Sequence, residues 1–125
     1  MKRDIFIILT VIVLSLLIIG CNETIVEEPV TEESTVKEFS ITAKKWDFSP
    51  ETITVNKGDL VKITITSTDV THGFKIGAYD INEQFSKGEI KLIEFTADKE
   101  GEFPFYCSVP CGSGHNSMNG KLVVK

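Results

Sequence analysis

Apolar residues follow two different patterns along the chain, and the change between them falls near Cys21. Residues 5–19 form one apolar run that only Thr10 and Ser15 interrupt, and Lys2 and Arg3 precede it. A membrane-spanning helix needs about 20 such residues, whereas a shorter run is typical of the apolar core of a secretory signal. We therefore predict a signal segment over residues 1–20, with an uncleaved membrane anchor as the alternative.

From Lys37 onward, apolar and polar residues alternate in short runs that turn residues separate. The clearest run is residues 61–66, where three β-branched apolar residues alternate with a lysine and two threonines. A period of two indicates half-buried strands. Similar runs cover residues 39–44, 53–55, 72–76, 89–96, 102–107 and 121–124. Seven or so strands in about 90 residues predict an all-β Greek-key sandwich or barrel over residues 37–125. We expect its aromatic core to come from Phe74, Phe85, Phe95, Phe103, Phe105 and Tyr106.

The segment between these two regions, residues 21–36, carries five glutamates and no lysine or arginine. Low hydrophobicity with charge of one sign predicts a solvated acidic tether. Residues 37–125 contain 11 basic and 12 acidic residues, so the domain is nearly neutral although the whole chain has a net charge of −5. A nucleic-acid partner is not expected, because that function needs a basic surface.

The ending Leu17-Ile-Ile-Gly-Cys21 resembles a lipobox, the processing signal of bacterial lipoproteins. That resemblance implies that Cys21 is lipidated and becomes the first residue of the mature protein. A lipidated protein and an anchored protein would both hold the domain outside the cytoplasm, on the outer or periplasmic face of the membrane.

Candidate metal ligands are concentrated in one short loop, Cys107-Ser-Val-Pro-Cys111-Gly-Ser-Gly-His115-Asn-Ser-Met118. The other histidine, His72, lies upstream in Asp69-Val-Thr-His72-Gly-Phe74. Thiolates and a thioether with imidazole favour copper(I), zinc or iron–sulfur chemistry over magnesium or calcium. The loop therefore predicts a soft-metal site.

Several arrangements of these ligands are possible. Both histidines and both cysteines would suit a tetrahedral zinc ion. His72, Cys111, His115 and Met118 would supply a mononuclear blue-copper site. A disulfide between Cys107 and Cys111 is a further alternative in an oxidising compartment. Two copper ions bridged by both thiolates, with one histidine on each ion, would use every candidate.

The loop matches the pattern Cys-x3-Cys-x3-His-x2-Met, and with the upstream histidine segment it resembles the binuclear copper A (CuA) domain of cytochrome c oxidase subunit II. The similarity runs from about Phe39 to Lys125, is nearest to subunit II of ba3-type oxidases, and extends to the CuA domain of nitrous oxide reductase. The resemblance implies a cupredoxin fold. Met118-Asn-Gly-Lys-Leu-Val-Val124 resembles the closing strand of that fold.

Carried over to this sequence, the family pattern implies that Cys107 and Cys111 bridge two coppers. His72 and Met118 would complete one copper, and His115 and the backbone carbonyl of Val109 would complete the other. In mitochondrial oxidases a glutamate at the position of Val109 also binds magnesium. Valine cannot do so, which weakens the assignment to that kind of complex. The resemblance also places Trp46 in an aromatic cluster associated with electron transfer into the site, although filling the edge of the sandwich is an equal alternative.

The function implied is that of an extracytoplasmic, membrane-tethered electron-transfer protein with no catalytic turnover of its own. Its donor would be a cytochrome c or another small redox protein. The alternative is the copper-binding subunit II of a haem–copper oxidase, which would dock on subunit I. A thioredoxin-fold copper chaperone is a third hypothesis, but cysteines of that type precede a helix, whereas Cys107 and Cys111 lie between predicted strands.

Overall fold

Period-two alternation produces nine strands in the computed structural model, which describes residues 34–125. The strands are β1 (Val36–Lys44), β2 (Asp47–Ser49), β3 (Thr52–Val55), β4 (Leu60–Ser67), β5 (His72–Ile76), β6 (Ile81–Phe85), β7 (Ile90–Thr96), β8 (Gly101–Tyr106) and β9 (Asn119–Val124). Two short 3₁₀ turns cover Gly77–Tyr79 and His115–Ser117.

The strands form two sheets that pack as a sandwich. One sheet has the order β2-β1-β4-β7 and the other has the order β3-β9-β8-β5-β6. β1 pairs in parallel with β4, and β3 pairs in parallel with β9, while the other pairs are antiparallel. The predicted all-β sandwich is confirmed.

The core lies between the inward faces of the two sheets. In β4 the side chains of Val61, Ile63 and Ile65 are fully buried, while the threonine and lysine between them face outward or lie at the edge. Three buried rings, Phe48, Phe74 and Phe105, pack with centroids 5.0–5.6 Å apart. Two of the three pairs are edge-to-face, the arrangement that the ring quadrupole favours.

The expected aromatic core needs one correction. Phe74, Phe85 and Phe105 are fully buried, and Phe95 and Phe103 pack against the core, but Tyr106 is 40 % exposed. Neighbouring residues of a strand point to opposite faces, so burial of Phe105 turns Tyr106 outward. Its ring lies 6.0 Å from the ammonium group of Lys75.

The two ends of the sandwich are formed by different segments of the chain. At one end the first described residues join the turn before β4, where the N–H of Leu60 donates to the carbonyl of Thr35. β1 and β4 then pair over eight residues up to Ser67, a rise of roughly 25 Å. The opposite end, which carries His72 and Cys107, is called the metal end below.

Several sequence predictions lie outside the described residues. These are the signal or anchor over residues 1–20, lipidation of Cys21, and the acidic tether as far as residue 33. Val36, which we assigned to the tether, begins β1. Among residues 34–125, none of the helices has the length and apolar character needed to cross a membrane.

Candidate metal centre

The donor loop connects β8 to β9 at the metal end. Cys107 follows the last residue of β8, and Met118 precedes the first residue of β9. The N–H of Cys107 donates to the carbonyl of Met118 over 3.1 Å, which closes the base of the loop. Both thiols and the thioether of Met118 are buried, whereas His115 is half-buried.

His72 reaches the loop from β5. Its side chain is fully buried, and its Nδ1 lies 3.8 Å from Cys107 Sγ. Its Nε2 lies 2.8 Å from Oδ1 of Asp69. A carboxylate on the second ring nitrogen fixes the orientation of the imidazole, as metal-binding histidines usually require. Nδ1 is therefore the nitrogen that this fold presents to the sulfur atoms.

The remaining donors are distributed around the two thiols. The Sγ atoms of Cys107 and Cys111 are 3.6 Å apart. Cys111 Sγ lies 3.7 Å from His115 Nδ1 and 3.9 Å from Met118 Sδ. Cys107 Sγ lies 3.2 Å from the carbonyl oxygen of Val109. Each thiol thus has a different histidine nitrogen beside it, and every residue predicted as a ligand is present.

These distances discriminate among the possible arrangements. A disulfide needs its sulfurs about 2.05 Å apart, and both cysteines are free thiols. One tetrahedral zinc ion bound at about 2.0–2.3 Å would need every pair of donors within roughly 3.8 Å. Ligand atoms of His72, Cys107 and Cys111 lie within 4.8 Å of one another, but His115 does not join that group. The described donors form a cluster compatible with a copper site.

Burial also affects the protonation of Cys111. It raises the pKa of the Cys111 thiol to about 11, and the neighbouring Cys107 and the charge of Asp69 act in the same direction. A metal must displace this proton to bind Cys111, so binding releases it.

Asp69 connects the two sides of the site. Burial disfavours its charge, but hydrogen bonds from the Lys45 N–H, the His72 ring and the Val70 N–H outweigh burial and hold its pKa at about 2. The Lys45 N–H lies 2.6 Å from Oδ2. One carboxylate therefore orients His72 and also fixes the turn that carries Trp46. We assigned no role to Asp69 from the sequence, and its position three residues before His72 was the available signal.

Trp46 covers the donor loop. A Cβ placed on Gly114 would overlap Cγ and Cδ2 of the indole and lie 2.7 Å from Cε3, and a Cβ on Gly112 would lie 3.0 Å from Cζ2. Gly112 has φ +133°, a conformation that favours glycine, but Gly114 has an ordinary φ of −93°. Turn geometry therefore explains Gly112 but not Gly114. Gly114 is needed for close packing of the indole, whose buried Nε1 has no hydrogen-bond partner among the described residues.

Gly73 is a second residue that sequence reasoning missed. Its N–H lies 3.4 Å from Cys107 Sγ, a weak donor contact to the thiol. A Cβ at this position would overlap Ser108 Oγ and lie 2.9 Å from the Ser108 backbone nitrogen. The start of β5 and the donor loop can approach this closely only because residue 73 has no side chain.

Comparisons with known proteins agree with this geometry. A family model described as a cupredoxin-like domain matches residues 8–124. A cytochrome c oxidase subunit 2 from Thermus thermophilus is 35 % identical over 85 residues, which cover 68 % of this chain and 63 % of that protein. A nitrous-oxide reductase from Stutzerimonas stutzeri is 35 % identical over 82 residues, which cover 62 % of this chain and 13 % of that enzyme. The chain thus spans less than two thirds of the length of these curated relatives.

A solved structure extends the likeness to almost the whole chain. A chain of a haem–copper terminal oxidase dimer superimposes with a TM-score of 0.70 and 25 % identity, covering 99 % of this chain and 97 % of that one. His72, Cys107 and Cys111 form a cluster compatible with copper. This chain therefore belongs to the cupredoxin-like domain family and is homologous to the CuA domains of cytochrome c oxidase subunit II and nitrous-oxide reductase.

Proposed function

We propose that this chain is an electron-transfer domain that holds a binuclear copper centre of the CuA type at its metal end. In this proposal the thiolates of Cys107 and Cys111 would hold both ions. His72 and Met118 would complete the donors of one ion, and His115 and the carbonyl of Val109 would complete those of the other. The observation that carries the proposal is the pair of sulfurs 3.6 Å apart, each with a different histidine nitrogen within 3.8 Å.

The protein's contribution is to hold these donors still. When bound, the copper pair supplies a centre that accepts and releases one electron. The buried thiols, thioether and His72 exclude water, and Asp69 keeps the His72 ring in one orientation. Donors on a rigid sandwich rearrange little when the charge of the centre changes, and this preorganisation favours fast electron transfer.

Electrons would arrive from a cytochrome c or another small redox protein. Trp46 is the aromatic side chain proposed to lead them in, because its indole lies against the loop that carries Cys111 and His115. A lipid on Cys21, or the apolar run before it, would tether the domain to the outer face of the membrane.

The acceptor distinguishes two forms of the proposal. A free-standing carrier would pass the electron to another soluble or membrane protein. A subunit II would pass it to subunit I of a haem–copper oxidase, and this form is favoured by the 99 % coverage against a chain of such an oxidase. Purification of the chain from its native membrane tests the difference, because a subunit should bring a haem-containing partner with it.

Replacement of one bridging thiol tests the site. The copper-loaded chain should be purple and should show a mixed-valence electron paramagnetic resonance spectrum split by both nuclei. Cys107→Ser should abolish that spectrum, because serine cannot bridge soft ions in the same way. Cys21→Ser, the matched control, should retain it. Both coppers and the same spectrum in Cys107→Ser would refute the bridging assignment.

Mass spectrometry tests the tether. A lipidated Cys21 at the N-terminus of the membrane form is the expected result, whereas an intact Met1 end would refute lipoprotein processing.

A further inference from the structure

The sheet with the order β2-β1-β4-β7 presents an apolar surface to solvent. The large apolar side chains that are exposed among residues 34–125 are Val36, Ile90, Leu92 and Tyr106. In β1, β4 and β7 the buried residues have odd numbers, so the even-numbered residues point away from the core. These even-numbered residues form what is called the outer face below. Val36, Ile90 and Leu92 all lie on it.

The strand registers arrange the outer face in rows that run across the sheet. Two neighbouring rows contain only aliphatic and hydroxyl side chains, and they are Ser40-Thr64-Leu92 and Thr42-Thr66-Ile90. The next row toward the start of β1 is Glu38-Lys62-Glu94, in which Lys62 and Glu94 form an ion pair of 3.0 Å. Another surface could therefore cover the two uncharged rows without removing an ion from water, which is the costly part of burying polar surface.

Charges of opposite sign lie on the two sides of the uncharged rows. Glu38 is three residues before Ile41 on β1, and Lys44 is three residues after it. Within residues 34–125, neither Glu38 nor Lys44 has a salt-bridge partner. A half-turn about an axis that crosses the strands at Ile41 exchanges the two uncharged rows and exchanges the positions of Glu38 and Lys44. The outer face is therefore complementary to itself.

We propose that the outer face is a contact between two copies of this chain, packed face to face about that axis. Sheets pack in this way about 10 Å apart. Leu92 of each copy faces Ile90 of the other copy, and Glu38 of each faces Lys44 of the other. An axis along the strands would instead place the aliphatic pair over the hydroxyl side chains of β1 or β2. The inference goes beyond the proposed function and does not require copper.

The size of the outer face predicts a weak dimer. Strands about 25 Å long and about 4.8 Å apart give roughly 400 Å² of flat area per copy. A standard interface buries about 800 Å² per partner, so this contact belongs with the small, transient interfaces. Attachment to one membrane raises the effective concentration of the two copies, so association is expected there and not in dilute solution. The axis crosses the strands, so the two metal ends point in opposite directions and both remain accessible.

A carbodiimide, which joins a carboxylate directly to an amine, tests the contact. Isotope-labelled and unlabelled full-length chains would be mixed and reconstituted without copper in phosphatidylcholine vesicles. Glu38 and Lys44 are six residues apart on one strand, about 20 Å, so an amide between them must join two chains. We expect Glu38–Lys44 amides that combine a labelled and an unlabelled peptide. Cross-links between chains that involve only residues outside the outer face, or no cross-links between chains, would overturn the inference.

Charge reversal tests the geometry. Glu38→Lys and Lys44→Glu each turn two attractive pairs of the dimer into repulsive ones, so each should weaken association by about tenfold. The double variant Glu38→Lys/Lys44→Glu should restore it. Energy transfer between chains that carry donor and acceptor dyes at the C-terminus measures association in the same vesicles. Glu83→Lys, a matched change at an exposed residue of β6, should have no effect. Single variants that associate like the wild type, or a double variant as weak as the singles, would refute the proposed pairing.

Replacement of an aliphatic side chain distinguishes face-to-face packing from pairing along the outer edge of β7. Leu92→Asn should lower the association constant by about fivefold or more, because the leucine is in the centre of the contact. Leu92 is 62 % exposed in one copy, so the thermal unfolding midpoint measured by circular dichroism should not change. Val36→Asn changes the same face outside the uncharged rows and should have a smaller effect. Edge pairing uses backbone groups, so a dimer that is unaffected by Leu92→Asn would overturn the inference.

Discussion

The packing of Trp46 on the donor loop gives a prediction of defined size. In Gly114→Ala the new methyl group would lie 2.7 Å from Cε3 of the indole and closer still to Cγ and Cδ2. Carbon atoms in contact are about 3.5 Å apart, so the loop or the indole must move by at least about 0.8 Å. Alanine tolerates the φ of −93° at this position, so the change tests packing and not backbone strain.

We expect this overpacking to lower the free energy of unfolding by about 1–3 kcal/mol. Chemical denaturation of the metal-free chain measures that loss without a contribution from copper. The displacement exceeds the tolerance of about 0.5 Å within which a site keeps its function. The residue after Gly114 is His115, so the absorption spectrum of the copper-loaded variant should also shift.

Two further variants make the reasoning refutable. Gly77→Ala adds a methyl group where no atom lies within 4 Å, so its unfolding free energy should not fall. In a Trp46→Ala background the indole is absent, so Gly114→Ala should then lower the free energy of unfolding only slightly. The difference between its effects in the two backgrounds is the coupling energy between the two sites. Wild-type stability and spectrum in Gly114→Ala, or an equal cost with and without Trp46, would refute this account of the loop.

Three other substitutions test separate parts of the structure. Asp69→Asn should weaken copper binding by about 10–100-fold, because loss of a carboxylate that holds a ligating histidine has effects of that size. Competition with a chelator measures this affinity. Asp80 is exposed, so Asp80→Asn should leave the affinity unchanged. Met118→Leu should keep two coppers and lower the free energy of unfolding by less than about 1.5 kcal/mol, because the two side chains have similar volumes. Voltammetry should detect a shifted reduction potential of the copper centre. Hydrogen bonds from Thr35 and the Asn56 N–H lower the pKa of Asp59 below 3.8. The contribution of Asp59 to the free energy of unfolding is therefore fully present above pH 3.8 and is lost as the pH falls through the folded pKa. The free energy of unfolding of Asp59→Asn should therefore decrease less steeply than that of the wild type as the pH is lowered.

The strands could be predicted where alternation was clean. β4 has the buried apolar residues Val61, Ile63 and Ile65 at every second position, and the predicted run of residues 61–66 ends within one residue of its bounds on each side. β6 was missed because it is an edge strand, and its three central residues, Asn82 to Gln84, are all polar and exposed. β2 was missed because it has only three residues, although its Phe48 is fully buried. Pattern reasoning depends on repeated alternation, and neither strand provides it.

The donor loop was readable from sequence because its ligands lie within 12 residues. The supporting contacts were not readable, because they join distant segments. Lys45 meets Asp69 across 24 residues, and Trp46 meets Gly114 across a still longer separation. Such contacts depend on how the two sheets bring their turns together at one end. Local spacing carries no information about them.

The copper content of the reconstituted chain tests the central claim most directly. Elemental analysis against protein concentration, on the same sample whose paramagnetic resonance spectrum is recorded, should give two coppers per chain with a signal split by both nuclei. One copper per chain with a four-line spectrum would instead indicate a mononuclear site and would contradict the sharing of Cys107 and Cys111 between two ions.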